Sequence, residues 1–260
     1  MQYPTISEYV KASQDASDNL DMSTAATDEE LNEAITDEFG VKYSKDGRKL
    51  LKAPQELDRT YSIRKGTKIV CDMAFAYCKS LSNVVIPDSV TSIGDGAFED
   101  CSSLSSVVLP DSITSIGNRA FNECDSLRSV VISDGVTSIG DGAFQFCSSL
   151  NDIIIPDSVT SIGIYAFGEC TSLSSLVISD SVTSIGNWAF YYCDALRSVV
   201  IPDGVTSIGV GAFIGCKSLK SLEIPDSVTS IGFGAFSYCY FPYKLKQELI
   251  SRFGDKIFGN

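Results

Sequence analysis

Cysteine has the broadest chemistry of any residue in this chain, and eight of its nine cysteines recur every 23 residues. Thiolates bind metals, form disulfides and act as nucleophiles. The C-x₂-C spacing of a metal site is absent, and each cysteine belongs to a different copy of the period. We therefore expect free thiols, buried as small hydrophobic groups, with stacked disulfides or a metal site as alternatives. The series is Cys78, Cys101, Cys124, Cys147, Cys170, Cys193, Cys216 and Cys239, with Cys71 outside it.

Seven aspartates follow the same period. Stacked copies would hold their carboxylates about 5 Å apart, close enough to repel and to raise one another's pKa. A calcium stripe would relieve this repulsion, but the Gly- and Asp-rich pattern of calcium-binding solenoids is missing. The context P-D-[SG] favours a turn in which the aspartate accepts backbone N–H groups. The series is Asp88, Asp111, Asp134, Asp157, Asp180, Asp203 and Asp226.

The chain contains no histidine. The commonest general base, which is also the usual partner of a serine or cysteine nucleophile, is therefore missing. The recurring T-S pairs, beginning with Thr91-Ser92, have no base beside them, and the sequence has neither a phosphate-binding loop nor a unique carboxylate pair. We expect no catalytic residues and no cofactor. An enzyme or a calcium-binding solenoid built on the aspartate series is the less favoured alternative.

These residues are positioned by a repeat. Each copy reads L-x-x-[VIL]-x-[IL]-[PS]-D-[SG]-[VI]-T-S-I-G-x-x-A-F-x-x-C, and its leucine recurs every 23 residues without insertion. A period in the twenties with one strand-like segment predicts a solenoid. In the first copy we expect eight residues to point inward: Leu81, Val84, Ile86, Val90, Ile93, Ala97, Phe98 and Cys101. The glycine after isoleucine, beginning with Gly94, predicts a left-handed or tight backbone.

The repeat is similar to the BspA-type leucine-rich repeat of bacterial surface proteins, with its I-P-x-x-[VI]-x-x-I-G-x-x-A-F-x-x-C core. The match covers about residues 61–240. The resemblance implies an α/β fold, a right-handed leucine-rich-repeat solenoid with a parallel β-sheet. It also implies binding or adhesion to host matrix proteins, other bacteria or host receptors, and it conveys no catalytic residues.

The ends depart from the repeat and predict caps. Residues 1–57 form an N-terminal capping region, with one helix over about 5–20 and a second that begins at the capping box Thr27-x-x-Glu30. Helical spacing of Leu31, Ala34, Ile35 and Phe39 continues this second helix to Gly40. A hairpin follows, with strands 41–43 and 48–52 around an Asp-Gly turn. Residues 58–241 form the solenoid, one degenerate and seven regular turns. Residues 242–260 form a capping helix, with Pro242 in its first turn and Gly254 at its end.

Residues that differ between copies are the better candidates for binding, because the residues shared by all copies form the core and the turns. The positions that flank A-F carry a concentration of aromatic residues, which are enriched in interface hot spots and in sugar-stacking platforms. The alternatives are lateral packing between turns and sequence drift at unconstrained positions. The candidate binding residues of this ridge are Phe146, Tyr165, Trp188, Tyr191, Tyr192 and Tyr238.

A second candidate surface is an aliphatic row at the outward strand position. It is either a docking surface or an expression of strand propensity. The row includes Val131, Ile154, Val177 and Val200, with Val85 and Val108 before them and Glu223 after them.

The formal charge of −13 argues against binding nucleic acid or an anionic membrane surface. The sequence has no apolar run long enough to span a bilayer. The first residues show no signal peptide, which predicts a cytoplasmic protein; a cell-surface or secreted location, as in the similar family, is the alternative. We expect a protein partner, host or bacterial, or else a structural spacer.

Overall fold

The computed structural model describes residues 23–259, so the helix predicted over 5–20 lies outside the described residues. The chain forms a solenoid of about eight turns built mainly from short strands. The strands are β1 (Ile35–Thr36), β2 (Lys42–Tyr43), β3 (Lys49–Lys52), β4 (Arg59–Ser62), β5 (Ile69–Val70), β6 (Leu81–Val85), β7 (Ser92–Ile93), β8 (Ser106–Val108), β9 (Ser115–Ile116), β10 (Ser129–Val131), β11 (Ser138–Ile139), β12 (Asp152–Ile155), β13 (Ser161–Ile162), β14 (Ser175–Ile178), β15 (Ser184–Ile185), β16 (Ser198–Val200), β17 (Ser207–Ile208), β18 (Ser221–Glu223) and β19 (Ser230–Ile231).

Two sets of parallel strands run along the solenoid. The T-S-I strands continue the N-terminal hairpin in one 11-stranded sheet, ordered β1-β2-β3-β5-β7-β9-β11-β13-β15-β17-β19. The strands that begin each copy pair with their neighbours as β4-β6, β8-β10-β12-β14 and β16-β18. Paired residues such as Ile139 and Ile162 are one period apart. Turn length therefore fixes the register, and every row of the surface carries one sequence offset.

The A-F segments form a third hydrogen-bonded side. The N–H of Phe98 donates to the carbonyl of Ala120 in the next turn at 2.7 Å, and the other turns repeat this bond. Eight phenylalanines stack beneath it, from Phe75 to Phe236, with centroids 4.9 to 5.6 Å apart and nearly parallel rings. All eight predicted inward residues of the first copy are buried, which confirms the predicted core.

The glycine after isoleucine is required by close approach. A Cβ on Gly163 would lie 2.7 Å from the carbonyl carbon and oxygen of Gly140 in the preceding turn. Its φ is not positive, so of the two predicted reasons only the tight packing holds.

The N-terminal end differs from the prediction. The capping box of Thr27 and Glu30 is confirmed, but helix α1 (Asp28–Asn32) has only five residues. The predicted continuation to Gly40 is wrong, because Ile35–Thr36 pairs with β2 instead. Asp37 accepts the N–H groups of Phe39 and Val41 and so closes a turn where the helix was expected. The predicted hairpin is confirmed by the antiparallel pairing of β2 and β3.

The C-terminal end closes as predicted and adds a further element. Helix α2 (Tyr243–Phe253) follows Pro242, which is its N-cap, and ends at Gly254. A 3₁₀ helix, Asp255–Phe258, then returns to the last turn. The carbonyl of Ile257 accepts the N–H of Phe236 at 2.8 Å, and that of Lys256 accepts the N–H of Gly234. These bonds pair the last A-F segment, which has no following turn, with the 3₁₀ helix. The division at residues 57 and 241 stays a prediction.

Candidate functional site

The positions that flank A-F have an unusual backbone. Two residues in each turn, one before A-F and one before the cysteine, adopt positive φ. Trp188 and Tyr192 have φ of 54° and 53°, a region that costs a bulky residue about 1–2 kcal/mol. Other turns carry glycine there, such as Gly211 and Gly215. The aromatic residues therefore occupy positions where the backbone favours glycine.

Four of the six predicted aromatic residues form one cluster, the ridge cluster: Tyr165, Trp188, Tyr191 and Tyr192. The rings of Tyr165 and Trp188 stack at 5.1 Å, with 11° between their planes. Tyr191 meets Tyr165 edge-on at 5.9 Å and Tyr192 edge-on at 4.4 Å. All four side chains are half-buried, so each ring keeps an accessible part.

Glycines make room for these rings, and the sequence prediction did not include them. A Cβ on Gly211 would lie 2.5 Å from the Trp188 ring, and one on Gly215 would lie 2.8 Å from the Tyr192 ring. Each ring thus lies over the glycine of the following turn. Comparing residue sizes at one offset in successive turns would have shown this.

Charged groups border the ridge cluster on the side of Tyr192. Lys217 Nζ lies 2.9 Å from Asp194 Oδ2 and 5.2 Å from the centroid of the Tyr192 ring. Burial, and then the nearby Asp194 carboxylate, raise the pKa of Glu169. Burial, then Tyr192 and Glu169, raise the pKa of the Tyr191 hydroxyl. The cluster therefore combines aromatic area with a local negative charge.

Phe146 and Tyr238 lie apart from the ridge cluster. They share the offset of Tyr192, but Glu169 and Gly215 occupy the turns between, so neighbouring aromatic residues of this row are about 10 Å apart. Within residues 23–259 neither ring stacks on another aromatic ring. Both are exposed and extend the ridge as isolated rings.

The aliphatic row lies on the outer face of the strands that begin each copy. Val85, Val108, Val131, Ile154, Val177 and Val200 are between 48% and 64% exposed. Parallel pairing aligns them, as in Ile154 with Val177. We call this row the sheet stripe. The structure thus brings Val131, Ile154, Val177 and Val200 together, as predicted, on a surface separate from the ridge cluster.

Comparison with known proteins identifies the family. The BspA type leucine rich repeat region matches residues 67–197 and 137–260, in six copies. The chain belongs to the BspA-type leucine-rich repeat family. No curated protein matches.

Two solved structures of leucine-rich repeat proteins resemble this solenoid. A leucine-rich repeat protein from Eubacterium ventriosum is 26% identical, with a TM-score of 0.67 over 76% of this chain and 52% of that one. The T. pallidum leucine-rich repeat protein is 29% identical, with a TM-score of 0.64 over 87% of this chain and 95% of that one. The chain therefore spans about half the length of the Eubacterium protein.

In this BspA-type repeat the cysteines are free and act in packing. From Cys101 to Cys239 each thiol reaches a phenylalanine carbonyl, whereas Cys78 reaches the carbonyl of Pro54. Cys147 Sγ, for example, lies 3.2 Å from the carbonyl oxygen of Phe121. Burial raises the pKa of Cys78 to about 11 and that of Cys147 well above its usual range. These thiols are therefore protonated at neutral pH and make poor nucleophiles.

The aspartate series has no capping role, contrary to the prediction. Its carboxylates face solvent, and among the described residues none accepts a backbone N–H. The N–H of Val90 closes that turn on the carbonyl of Pro87 instead. Aspartates cap backbone N–H groups at a different position, directly after the glycine of the T-S-I-G segment. There Asp95 accepts the N–H of Asn118, and Asp141 accepts that of Ile164. Threonines of the T-S pairs bond to the preceding turn; the Thr114 hydroxyl, for example, donates to the backbone carbonyl of Thr91.

Among residues 23–259, no group of three or more His, Cys, Asp or Glu could hold a metal ion. Over the same residues, the helices are too short and too polar to span a bilayer.

Proposed function

We propose that this protein is a non-catalytic interaction module that binds a protein partner through the ridge cluster. The observation that carries the proposal is the placement of Trp188 and Tyr192 at positive φ, where the following turn has Gly211 and Gly215. The solenoid folds with glycine at these offsets, so folding does not require the rings. Backbone strain that the fold does not need points to function.

The chemistry of the ridge cluster supports a protein partner. Tyrosine and tryptophan offer large, rigid contact areas and dominate interface hot spots. The stacked pair of Tyr165 and Trp188 is pre-organised, so little side-chain entropy is lost on binding. The adjoining Glu169 and Asp194 favour a partner with basic side chains at its rim.

Replacement by the glycine of other turns tests the proposal. We expect Trp188→Gly combined with Tyr192→Gly to lose the partner, because both rings disappear while the backbone keeps a residue that it favours. Relief of strain offsets lost packing, so the free energy of unfolding should change by no more than about 1–2 kcal/mol. The measurement is affinity capture from host extract and from the producing cell's lysate, followed by titration with the purified partner.

The second turn supplies a matched control. Arg119 and Glu123 have the same backbone conformation at the same two offsets, so Arg119→Gly with Glu123→Gly makes the same backbone change away from the aromatic rings. This variant should retain every protein that the wild type captures. Equal capture by all three proteins would refute the proposal.

The location of the protein belongs to the same proposal. The eight cysteines of the series from Cys78 to Cys239 are free thiols, which fits a reducing compartment and supports a cytoplasmic partner. The cell surface, with an extracellular partner, is the alternative.

A further inference from the structure

The sheet stripe has a symmetric charge pattern that the ridge cluster lacks. Three residues after each stripe residue comes an aspartate: Asp88, Asp111, Asp134, Asp157, Asp180 and Asp203. Three residues before it come polar or basic residues: Ser82, Ser105, Arg128, Asn151, Ser174 and Arg197. The apolar row is therefore bordered by a partly basic row on one side and an acidic row on the other.

Two members of the row before the stripe are arginines, Arg128 and Arg197. Arg128 and Arg197 are exposed, and their side chains make no ion pair with any residue between 23 and 259. The aspartates of the same two turns, Asp134 and Asp203, are likewise exposed and unpaired in that part of the chain. In each of these two turns an exposed arginine lies three residues before the stripe residue and an exposed aspartate lies three residues after it.

We propose that the sheet stripe is a self-association surface, occupied by the stripe of a second copy of this chain. The copies are related by a two-fold axis parallel to the solenoid axis. Such an axis keeps each turn opposite its own counterpart and reverses the strand direction. It therefore lays Val on Val and places Arg128 opposite the second copy's equivalent of Asp134, and Arg197 opposite that of Asp203.

The competing face-to-face arrangement is disfavoured by charge. A two-fold axis parallel to the strands also brings the two stripes into contact. In that arrangement, however, the acidic row of one copy faces the acidic row of the second copy, and the partly basic rows likewise face each other. Like charges placed opposite each other across an interface weaken it. The symmetric spacing thus selects one of the two arrangements.

The two ends of the stripe limit the contact to the central turns. In β4 the stripe position is Ser62, and Lys65 replaces the following aspartate. In β18 the stripe position is Glu223, which would oppose its own copy. The apolar contact therefore runs from Val85 to Val200.

The size of this face suits a dimer. Six turns at about 4.8 Å, and the width between the two charged rows at about 3.3 Å per residue, give a face of roughly 30 by 20 Å. That area, about 600 Å², approaches the roughly 800 Å² per partner of a standard stable interface.

Oligomeric state is the first test, measured by sedimentation velocity over a wide concentration range. The wild type should be a dimer, and Val131→Asp with Val177→Asp should be a monomer. Ile164→Asp with Val210→Asp, which changes two exposed aliphatic residues outside the stripe, should remain a dimer. A monomeric wild type, or equal dissociation of both variants, would overturn the proposal.

Charge reversal tests the arrangement. Arg128→Asp with Arg197→Asp should weaken the dimer by about tenfold or more, because aspartate would then oppose aspartate. Adding Asp134→Arg and Asp203→Arg restores opposite charges with reversed polarity and should restore the dimer. Failure of the fourfold variant to recover, while it remains folded by circular dichroism, would exclude this axis.

Cross-linking distinguishes the two axes directly. With the proposed axis every stripe residue opposes its own copy, so Val108→Cys and Val200→Cys should each form an intermolecular disulfide on oxidation. An axis parallel to the strands reverses the order of the turns, so only the middle of the stripe lies opposite its own copy. Val108→Cys and Val200→Cys would then each lie far from the same residue of the second copy and would not cross-link. The native thiols of the series from Cys78 to Cys216 are buried, which keeps the background low. The ridge variants should dimerise normally, so failure here is distinct from failure of the proposed partner binding.

Discussion

At the scale of single residues, the same backbone position serves two purposes in different turns. Trp188 and Gly211 share one offset, one positive φ and one set of backbone bonds, yet only the first presents a ring. The fixed offsets behave differently, because Phe and Cys there are fully buried in every complete turn before the last. The residues that are the same in every copy thus build the core, and the residues that vary between copies give the ridge its individual surface.

The buried thiols make stability depend steeply on alkaline pH. Burial raises the pKa of seven of them: Cys78, Cys101, Cys124, Cys147, Cys170, Cys193 and Cys216. The folded chain keeps these protons, whereas the unfolded chain releases them above its pKa of about 8.5. Their contribution is complete below that pH and is lost as pH rises toward the folded values.

We therefore expect the free energy of unfolding to fall above about pH 8.5 by about 1.4 kcal/mol per pH unit for each such thiol. Seven thiols together give a slope of roughly 10 kcal/mol per pH unit. Urea unfolding at closely spaced pH values, with a reductant present, measures this slope. Cys147→Ala should be less stable at neutral pH, but its unfolding free energy should fall less steeply with pH, by about 1.4 kcal/mol per pH unit. A wild type with constant stability up to pH 10 would contradict the prediction.

At the scale of elements, neighbouring turns touch through backbone as much as through side chains. The column of glycines that contains Gly140 and Gly163 brings backbone against backbone in successive turns. An added methyl group there meets atoms that no rotamer change can move. By contrast, a Cβ on Gly168 would lie 3.2 Å from the ring of Tyr165, and the nearest backbone atoms, the carbonyl oxygens of Tyr165 and Trp188, would be at ordinary contact distances of 3.5 and 3.6 Å.

Gly163→Ala should therefore destabilise the fold by about 1–3 kcal/mol through overpacking. Gly168→Ala makes the same chemical change, also without a positive φ, but its new methyl group meets a ring that can move aside. We therefore expect a smaller loss, below about 1 kcal/mol, although Gly168 is buried. Chemical denaturation of the two variants beside the wild type checks the difference, and equal losses would show that close backbone approach is not the cause.

The elements also show how far the sequence could predict the structure. The core and the strand that begins each copy followed from the repeat, because eight copies place the same demands on each offset. The C-terminal helix followed from the helical spacing of residues beyond the repeat. The stretch from Leu31 to Phe39 misled, since its helical spacing is real but its pairing with β2 outweighs a helix with a costly nucleus. For the candidate site, the sequence predicted which positions of the repeat carry the aromatic residues. Which rings meet was not, because contact between Tyr165 and Tyr191 depends on how two turns are stacked.

At the scale of the whole molecule, the solenoid is a one-dimensional stack whose stability is nearly a sum of neighbouring contacts. The two proposed binding surfaces are not spread evenly over the turns: the ridge cluster is formed by two particular turns, whereas the sheet stripe is formed by six. Removing one complete turn should therefore separate stability from binding. Both deletions considered below rejoin the chain at a Ser-Leu junction, which the repeat itself uses.

Deletion of residues 104–126 and deletion of residues 173–195 should both leave a folded solenoid, shorter by about 4.8 Å. Each loses one turn interface and one stripe residue, Val108 or Val177, so the two should be destabilised alike and should dimerise alike. Only the second deletion removes Trp188, Tyr191 and Tyr192, and only it should lose the captured partner. Circular dichroism, sedimentation and capture on the same pair of proteins check these outcomes. If the first deletion also abolished capture, recognition would depend on the overall length or curvature of the solenoid, since the ridge cluster is intact in that variant.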